Sequence, residues 1–282
     1  MSDRREIDTG SSDLLAHVES RVATLTMNRP ARRNALSNEM LQGLAKTLGE
    51  VELAPDVGCV VLTGAEGAFC AGGDVKGMSE AHTRSDGDTG ERRATLDEAI
   101  HQQRLSQRET AGRLWKMPKP TIAMIPGAAA GAGLSLALAC DFRVASEKAI
   151  FTTAFAKVGF AGDYGGTFFM THLIGAAKTR ELYFLSDRLD AAAAERLGLV
   201  NQVVPAAELE KTTFELAARL AHGPAVAYRY MKENINRAAT GGDVDECLDL
   251  EATHHVHSGS TRDHRNAVRA FIEKRTPEFE GR

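Results

Sequence analysis

Cysteine is scarce in this sequence, and what there is lies scattered. The four cysteines, Cys59, Cys70, Cys140 and Cys247, form no CxxC pair. That argues against a disulfide framework or a cysteine-rich zinc site and suits a reducing compartment. Surplus positive charge is missing too, since 34 Lys and Arg face 38 Asp and Glu for a net charge of −4. Without a broad basic surface to neutralise phosphates, a dedicated nucleic-acid binder is not expected. The opening residues, MSDRREIDTGSSD, hold no apolar segment of the signal-peptide kind, so a cytoplasmic protein is expected. The longest nearly apolar run, 121–140, contains Pro126, Gly127, Gly131 and Gly133 and is followed at once by Asp141. A loop flanked by buried elements explains it better than a bilayer span, so no membrane partner is expected.

What is present is an ordinary globular mixture, 43% apolar and 26% charged, enough to bury a core. The length of 282 residues allows one large domain or two modest ones. Residues 21–27 alternate as a half-buried strand does, and Asn28-Arg29-Pro30 stops it. A helix is predicted from Ser37, a hydroxyl N-cap, with Leu41, Leu44, Leu48 and Val51 on one face until Pro55. Residues 58–62 read as a buried strand, 79–95 as a mobile polar loop, 96–115 as one helix and 121–125 as a strand. A small-residue loop over 127–133, a helix over 134–140 and short strands over 142–145 and 149–152 follow. Helices are then predicted over 167–174, 176–184, 191–197, 206–221, 224–238 and 244–274. The first half is thus β/α and the final third mostly helix.

Three glycine-bearing segments follow predicted strands: 71–74 (AGGD), 127–133 (GAAAGAG) and 163–167 (DYGGT). None has the GK[ST] ending of a phosphate loop, and Gly131-Ala132-Gly133 lacks the third glycine of a dinucleotide fingerprint. Gly133 to Ala137 nearly matches GxSxG, but Ser135 falls inside the predicted helix rather than at a strand-to-helix turn. A backbone oxyanion hole fits better. Amides near Gly73 and at the start of the 134–140 helix can converge on one oxygen and stabilise negative charge there. Taken singly, each segment is more simply a tight turn. The histidines His254, His255, His257 and His264 lack metal-ligand spacing and read as a solvated helix face, so no metal is expected. Asp141 and Arg143 read as structural, and Trp115 as a core anchor.

In order and spacing, six segments resemble the enoyl-CoA hydratase/isomerase (crotonase) family: VATLTMNRPARRNAL (22–36), VVLTGAEGAFCAGGDVKGM (60–78), KPTIAMIPGAAAGAGLSLALACDFRVAS (119–146), KVGFAGDYGGT (157–167), AAERLGLVNQVVP (193–205) and FIEKRTPEF (271–279). The resemblance implies an α/β fold, a crotonase-like spiral of ββα units with a helical C-terminal trimerisation region. It divides the chain into 1–205, the spiral core with the acyl-CoA site, and 206–282, the helical region. It implies an acyl-CoA thioester substrate, no metal or redox cofactor, and a homotrimer or dimer of trimers.

Carried over by position, the resemblance puts the two oxyanion donors on the N–H groups of Gly73 and Ala132. Ala132 replaces the usual glycine, which preserves the donor if its φ stays negative. Residues 31–36 match the stretch that lines CoA, and Arg33, Ala71, Asp74, Val75, Lys76 and Phe155 are the implied substrate-binding residues. Lys76 would meet a CoA phosphate as a point charge. The two glutamates of the family's hydratases are absent, since Ser135 and Phe155 stand in their places. The nearest acid is Asp163, whose setting resembles that of the family's enoyl-CoA isomerases. One carboxylate beside a thioester can take a proton from one carbon and return it to another, and the phenylalanines Phe155, Phe160, Phe168 and Phe169 would raise its proton affinity. The bland alternative is that Asp163 caps the helix beginning near Gly165; the resemblance then leaves an enoyl-CoA hydratase without its usual glutamates, or a non-catalytic acyl-CoA-binding relative, as the alternatives to an enoyl-CoA isomerase.

Overall fold

The computed structural model describes residues 4–74 and 94–282. The chain opens with strands β1 (Arg5–Ile7), β2 (Leu14–Glu19) and β3 (Val22–Met27), each antiparallel to the next. In β2 every second side chain (Leu14, Ala16, Val18) is buried, the mark of a strand with one face on the core. Helix α1 (Asn38–Leu53) starts where Ser37 accepts the Met40 N–H at 3.1 Å, as the sequence predicts, and Ala54 ends it before Pro55. Strand β4 (Cys59–Gly64) is buried along its whole length, as a parallel strand covered on both faces must be.

Beyond residue 93 come α2 (Leu96–Glu109) and α3 (Ala111–Lys116), then β5 (Thr121–Ile125), β6 (Ala129–Ala130) and α4 (Ala132–Ala139). Strands β7 (Phe142–Ser146) and β8 (Ile150–Thr152) lead to α5 (Gly166–Leu185), which Gly175 interrupts with non-helical backbone. Next are β9 (Leu189–Asp190), α6 (Ala191–Arg196), β10 (Gln202–Val204) and α7 (Leu209–Ala221). The chain finishes in α8 (Ala225–Ala239), α9 (Val244–Gly259) and α10 (Arg262–Ile272).

The main sheet has the order β1-β2-β3-β4-β5-β7-β10, parallel from β3 onward, and β6-β8-β9 form a second small sheet. One face of the main sheet buries Leu25, Val60, Leu62 and Ala123 against α1, α3 and α4. The other buries Val22, Val61, Ile122 and Val144 under α7, whose inward residues are Leu209, Ala217 and Ala221. Strands β3, β4, β5 and β7 therefore deliver their C-terminal ends to the same edge, where the glycine-bearing loops after β4 and β5 emerge.

Several expectations need correction. The helix over 96–115 is two, divided at Thr110, whose hydroxyl turns back to the Ser106 carbonyl at 2.7 Å. The helix over 244–274 is also two, divided at Ser260 and Thr261, where Thr261 caps α10 through the His264 N–H. The helix expected over 134–140 begins two residues earlier, because Gly131 turns the chain directly into it. The loop expected over 79–95 lies outside the described residues up to position 93. The buried stripe of α7 runs through Leu209, Thr213, Ala217 and Ala221, so the leucine face that the spacing of Leu209, Leu216 and Leu220 suggests is only partly buried. Among the histidines, His254 is buried and bonded to Asn234 at 2.6 Å, while His255, His257 and His264 are exposed as expected. Trp115 is half-buried, edge-on to Phe168.

Helices α8 to α10 bury few side chains, so polar anchors fix them to the core. Lys232 of α8 donates to the carbonyls of Leu114 and Lys119 and pairs with Asp141 at 2.9 Å. Asp141 also accepts the N–H and hydroxyl of Thr121, and buried Arg143 donates to the carbonyls of Cys140 and Leu199, so both serve structure as expected. Lys232→Met leaves a half-buried carboxylate without its cation. It should lower unfolding free energy by about 1–3 kcal/mol in urea titrations, and Asp141→Asn in the same protein should recover part of the loss.

Candidate active site

Two peptide planes meet at the edge where the strands end. Cys70 and Ala129 form a bridge between the 64–74 loop and β6, and the Leu36 N–H donates to the Gly72 carbonyl at 2.8 Å. A peptide group is planar and trans, so its N–H points opposite to its C=O. Holding the Gly72 carbonyl toward Leu36 therefore aims the Gly73 N–H the other way. The Gly131 carbonyl is held likewise, by the N–H of Ser135 at 3.0 Å and its hydroxyl at 3.3 Å, which aims the Ala132 N–H out of the N-terminus of α4. Ala132 has negative φ, so alanine serves there as well as glycine. Neither N–H meets a protein acceptor among the described residues.

The planes are neighbours. A Cβ on Gly72, which has φ +90°, would stand 2.8 Å from the Ala130 oxygen and 3.4 Å from the Ala132 nitrogen. Only glycine lets the two loops approach this closely. Unpaired N–H groups at a helix start also carry a partial positive charge, so this edge suits a developing anion.

Asp163 comes to the same place. Its charge acts on the Cys70 thiol, which burial and Asp163 together push up to about 12. Asp163 Oδ1 is buried and meets no hydrogen-bond donor among the described residues. Burial away from water pushes its own pKa up to about 6. Its backbone is fixed from both sides: the Asp163 carbonyl accepts the Gly166 N–H, and the Tyr164 N–H donates to Gln107 of α2 at 2.6 Å. The helix-cap alternative fails, since Gly165 is the N-cap of α5 and receives no side-chain bond.

Phe155 is buried and stacks on Tyr183, ring centroids 5.7 Å apart, while its edge lies 3.7 Å from where a Gly131 Cβ would be. Tyr183 lies close enough to Asp163 for the carboxylate to add to the burial that raises its phenol above the usual range. Gly166 is required here, because a Cβ on it would overlap both Ser135 Oγ and Tyr183 Oη. The expected wall of phenylalanines is thus corrected. Phe160 is exposed and Phe168 packs edge-on to Trp115, whereas Phe169 is buried with its ring beside Gly165, and Phe155 and Tyr183 stack on this side. Ser135 is buried in α4 and bonded to its own helix, which removes it as a nucleophile.

The other predicted site residues divide. Ala71 lies in the loop, its N–H bonded to the Arg33 carbonyl at 3.0 Å, and the Arg33 side chain is exposed beside it. Asp74 is paired with Arg29 at 2.9 Å, so its charge serves the loop. Val75 and Lys76 lie outside the described residues. Among the described residues no three His, Cys, Asp or Glu side chains form a metal-binding group, and no helix is long and apolar enough to cross a membrane. A cavity of about 740 Å³ between the outer face of the sheet and α7 contains none of the site residues. Sequence reasoning missed Arg29, which reads only as part of a strand stop, and Tyr183, which only the return of α5 brings beside Asp163.

Comparison with known proteins supplies the lineage. Residues 17–282 match the family model described as enoyl-CoA hydratase/isomerase. The 1,2-epoxyphenylacetyl-CoA isomerase of Escherichia coli (strain K12) is 38% identical over 269 residues, 95% of this chain and 98% of that protein. The short-chain-enoyl-CoA hydratase of Clostridium acetobutylicum is 34% identical over 265 residues, 94% and 96% of the two chains. Among solved structures, the enoyl-CoA hydratase of Bacillus anthracis superposes with a TM-score of 0.85 at 30% identity, covering 96% of this chain and all of that one. Sequence and fold agree across nearly the whole length, and the chain belongs to the enoyl-CoA hydratase/isomerase family.

Proposed function

We propose that this chain is a cytoplasmic acyl-CoA isomerase that moves a double bond by proton transfer, with CoA as part of the substrate and no metal or redox cofactor. The observation that carries this reading is the buried Asp163 Oδ1, close enough to act on Cys70 of the 64–74 loop, near two main-chain N–H groups; among the described residues neither that oxygen nor those N–H groups meet a hydrogen-bond partner. With the thioester oxygen between Gly73 and Ala132, the ionised Asp163 takes a proton from the carbon α or γ to the carbonyl. The electron pair moves onto the thioester oxygen, giving a dienolate held by the two N–H groups. Protonated Asp163 returns the proton at the other end of the conjugated system, and the double bond has moved with no atom gained or lost. An acid raised toward neutrality suits a group that must both accept and return a proton. Arg33, Ala71, Val75 and Lys76 would border the CoA moiety, and Phe155 would keep the reacting carbons dry. The E. coli isomerase relative supports this reading.

A hydratase reading draws on the Clostridium acetobutylicum relative. Against it stand Ser135 and Phe155, neither of which can activate water as a carboxylate does. The large exposed apolar side chains Phe184 and Leu185 of α5 and Phe271 and Ile272 near the C-terminus support assembly into a homotrimer or dimer of trimers, with 1–205 carrying the site and 206–282 the helical region. Sedimentation should then give a mass three or six times that of one chain, and a monomer at micromolar concentration would refute the assembly.

A 3-enoyl-CoA should gain conjugated ultraviolet absorbance when mixed with the protein, whereas crotonyl-CoA should lose little of its own by hydration. Asp163→Asn should lower isomerase turnover by roughly 10²–10⁴-fold while binding of the acyl-CoA persists. Unchanged turnover would remove Asp163 from the chemistry, and faster hydration than isomerisation would favour the hydratase.

Asp163 also sets a pH dependence. kcat/KM should fall as pH drops through about 6, where the base becomes protonated. Because the folded-state pKa is raised, the folded protein holds this proton to higher pH than the unfolded chain does. Ionised Asp163 therefore costs stability above about pH 6, a cost that fades as pH falls toward the ordinary carboxylate range. Asp163→Asn should raise the melting temperature at pH 8 and raise it less at pH 4.5.

A further inference from the structure

We propose that Arg29 is a positioning residue for the Gly73 N–H, acting through a chain of two peptide groups. This rests on the reading of Gly73 and Ala132 as the carbonyl donors. Arg29 Nη1 donates to the Ala35 carbonyl at 2.7 Å. That carbonyl shares a peptide plane with the Leu36 N–H, which donates to the Gly72 carbonyl at 2.8 Å. The Gly72 carbonyl shares its plane with the Gly73 N–H. The guanidinium thus heads a continuous run: Arg29 N–H to the 35–36 peptide, to the 72–73 peptide, to the substrate oxygen. Each bond in such a run polarises the next, and a charged donor at its head strengthens the effect.

The remaining guanidinium contacts serve the same end. Arg29 Nη2 holds the Asp74 carboxylate at 2.9 Å, and Nε faces Asp13 at 3.3 Å. Asp74 directly follows Gly73, so its negative charge opposes a negative charge growing on the substrate oxygen. Arg29 offsets that charge and fixes the loop at the same time. Asp13 accepts the Ser37 hydroxyl at 2.5 Å, which ties the guanidinium's second carboxylate to the start of α1, and the main-chain N–H of Arg29 donates to Oδ1 of buried Asn34 at 2.9 Å, which fixes the residue's backbone just after β3. Arg29 and Asp74 are each about one-fifth exposed, which limits screening by solvent. Lysine carries the charge but lacks the fork that reaches a carbonyl and two carboxylates together.

The test reads carbonyl polarisation directly. An unreactive cinnamoyl-CoA, whose absorption moves to longer wavelength when its thioester carbonyl is polarised, is bound to wild-type protein, Arg29→Gln and Arg29→Lys. The wild type should show the red shift, Arg29→Gln should lose most of it, and Arg29→Lys should keep an intermediate part. Deleting an oxyanion donor outright costs roughly 10²–10³-fold, so weakening one from a distance should lower kcat of Arg29→Gln about tenfold with KM little changed. Replacing the Leu36 amide by an ester removes the middle link while keeping every side chain, and should cut the red shift to a similar degree. That second variant decides the matter if Arg29→Gln does not fold. A full red shift in Arg29→Gln, or in the ester variant, overturns the proposal. No red shift in the wild type is a different failure: it removes the donor pair itself, and the relay with it.

Discussion

The planarity of the peptide group orders this site. Gly72 and Gly131 each have their carbonyl held from one side, by Leu36 and by Ser135, and each therefore presents the following N–H on the other. No side chain has to be placed to the last half-ångström for that direction to be right. What the fold supplies is the approach of two loops, and small residues at 71–73 and 127–133 make the approach possible. The parallel strands bring those loops to one edge, and the bridge between Cys70 and Ala129 ties them there.

Against this rigid frame Asp163 is the costly element. A carboxyl oxygen buried without a donor among the described residues is what folding ordinarily avoids. The surrounding structure overrules the cost: Gln107 holds the Tyr164 N–H, the Ser106 and Tyr164 hydroxyls meet at 3.1 Å, and the stacked rings of Phe155 and Tyr183 close one wall. A buried polar atom without a partner calls for an explanation, and the proposed role of Asp163 as base supplies one.

Much of this was legible in the sequence. Alternation located β3, but the strand is buried rather than half-buried because α7 covers its second face; the Ser37 hydroxyl and a leucine stripe gave α1, and the expected loop over 127–133 also holds β6 and the start of α4. Asp163, Gly73, Ala132 and Phe155 do come together. What escaped was what depends on returning chain. The two-residue and three-residue strands β6, β9 and β10 are too short to show a period, the break at Thr110 has no proline, and Gly259 before Ser260 is a single glycine in a pattern that stays helical on both sides. Beside Asp163, Tyr183 is invisible from sequence because helix α5 must fold back to deliver it. Arg29 hides for another reason: its work passes through backbone atoms that every residue shares.

That last feature governs how such a site can change over generations. A donor owned by the main chain is untouched by nearly every codon change, so an alanine scan would pass over Gly73 and Ala132 without a signal, and only proline or a bulky intruder would register. On the proposed reading, a change of the acids around the two N–H groups leaves the carbonyl grip in place. On that reading the scaffold preserves a direction in space rather than a reactive group, and the side chains around it decide which reaction follows.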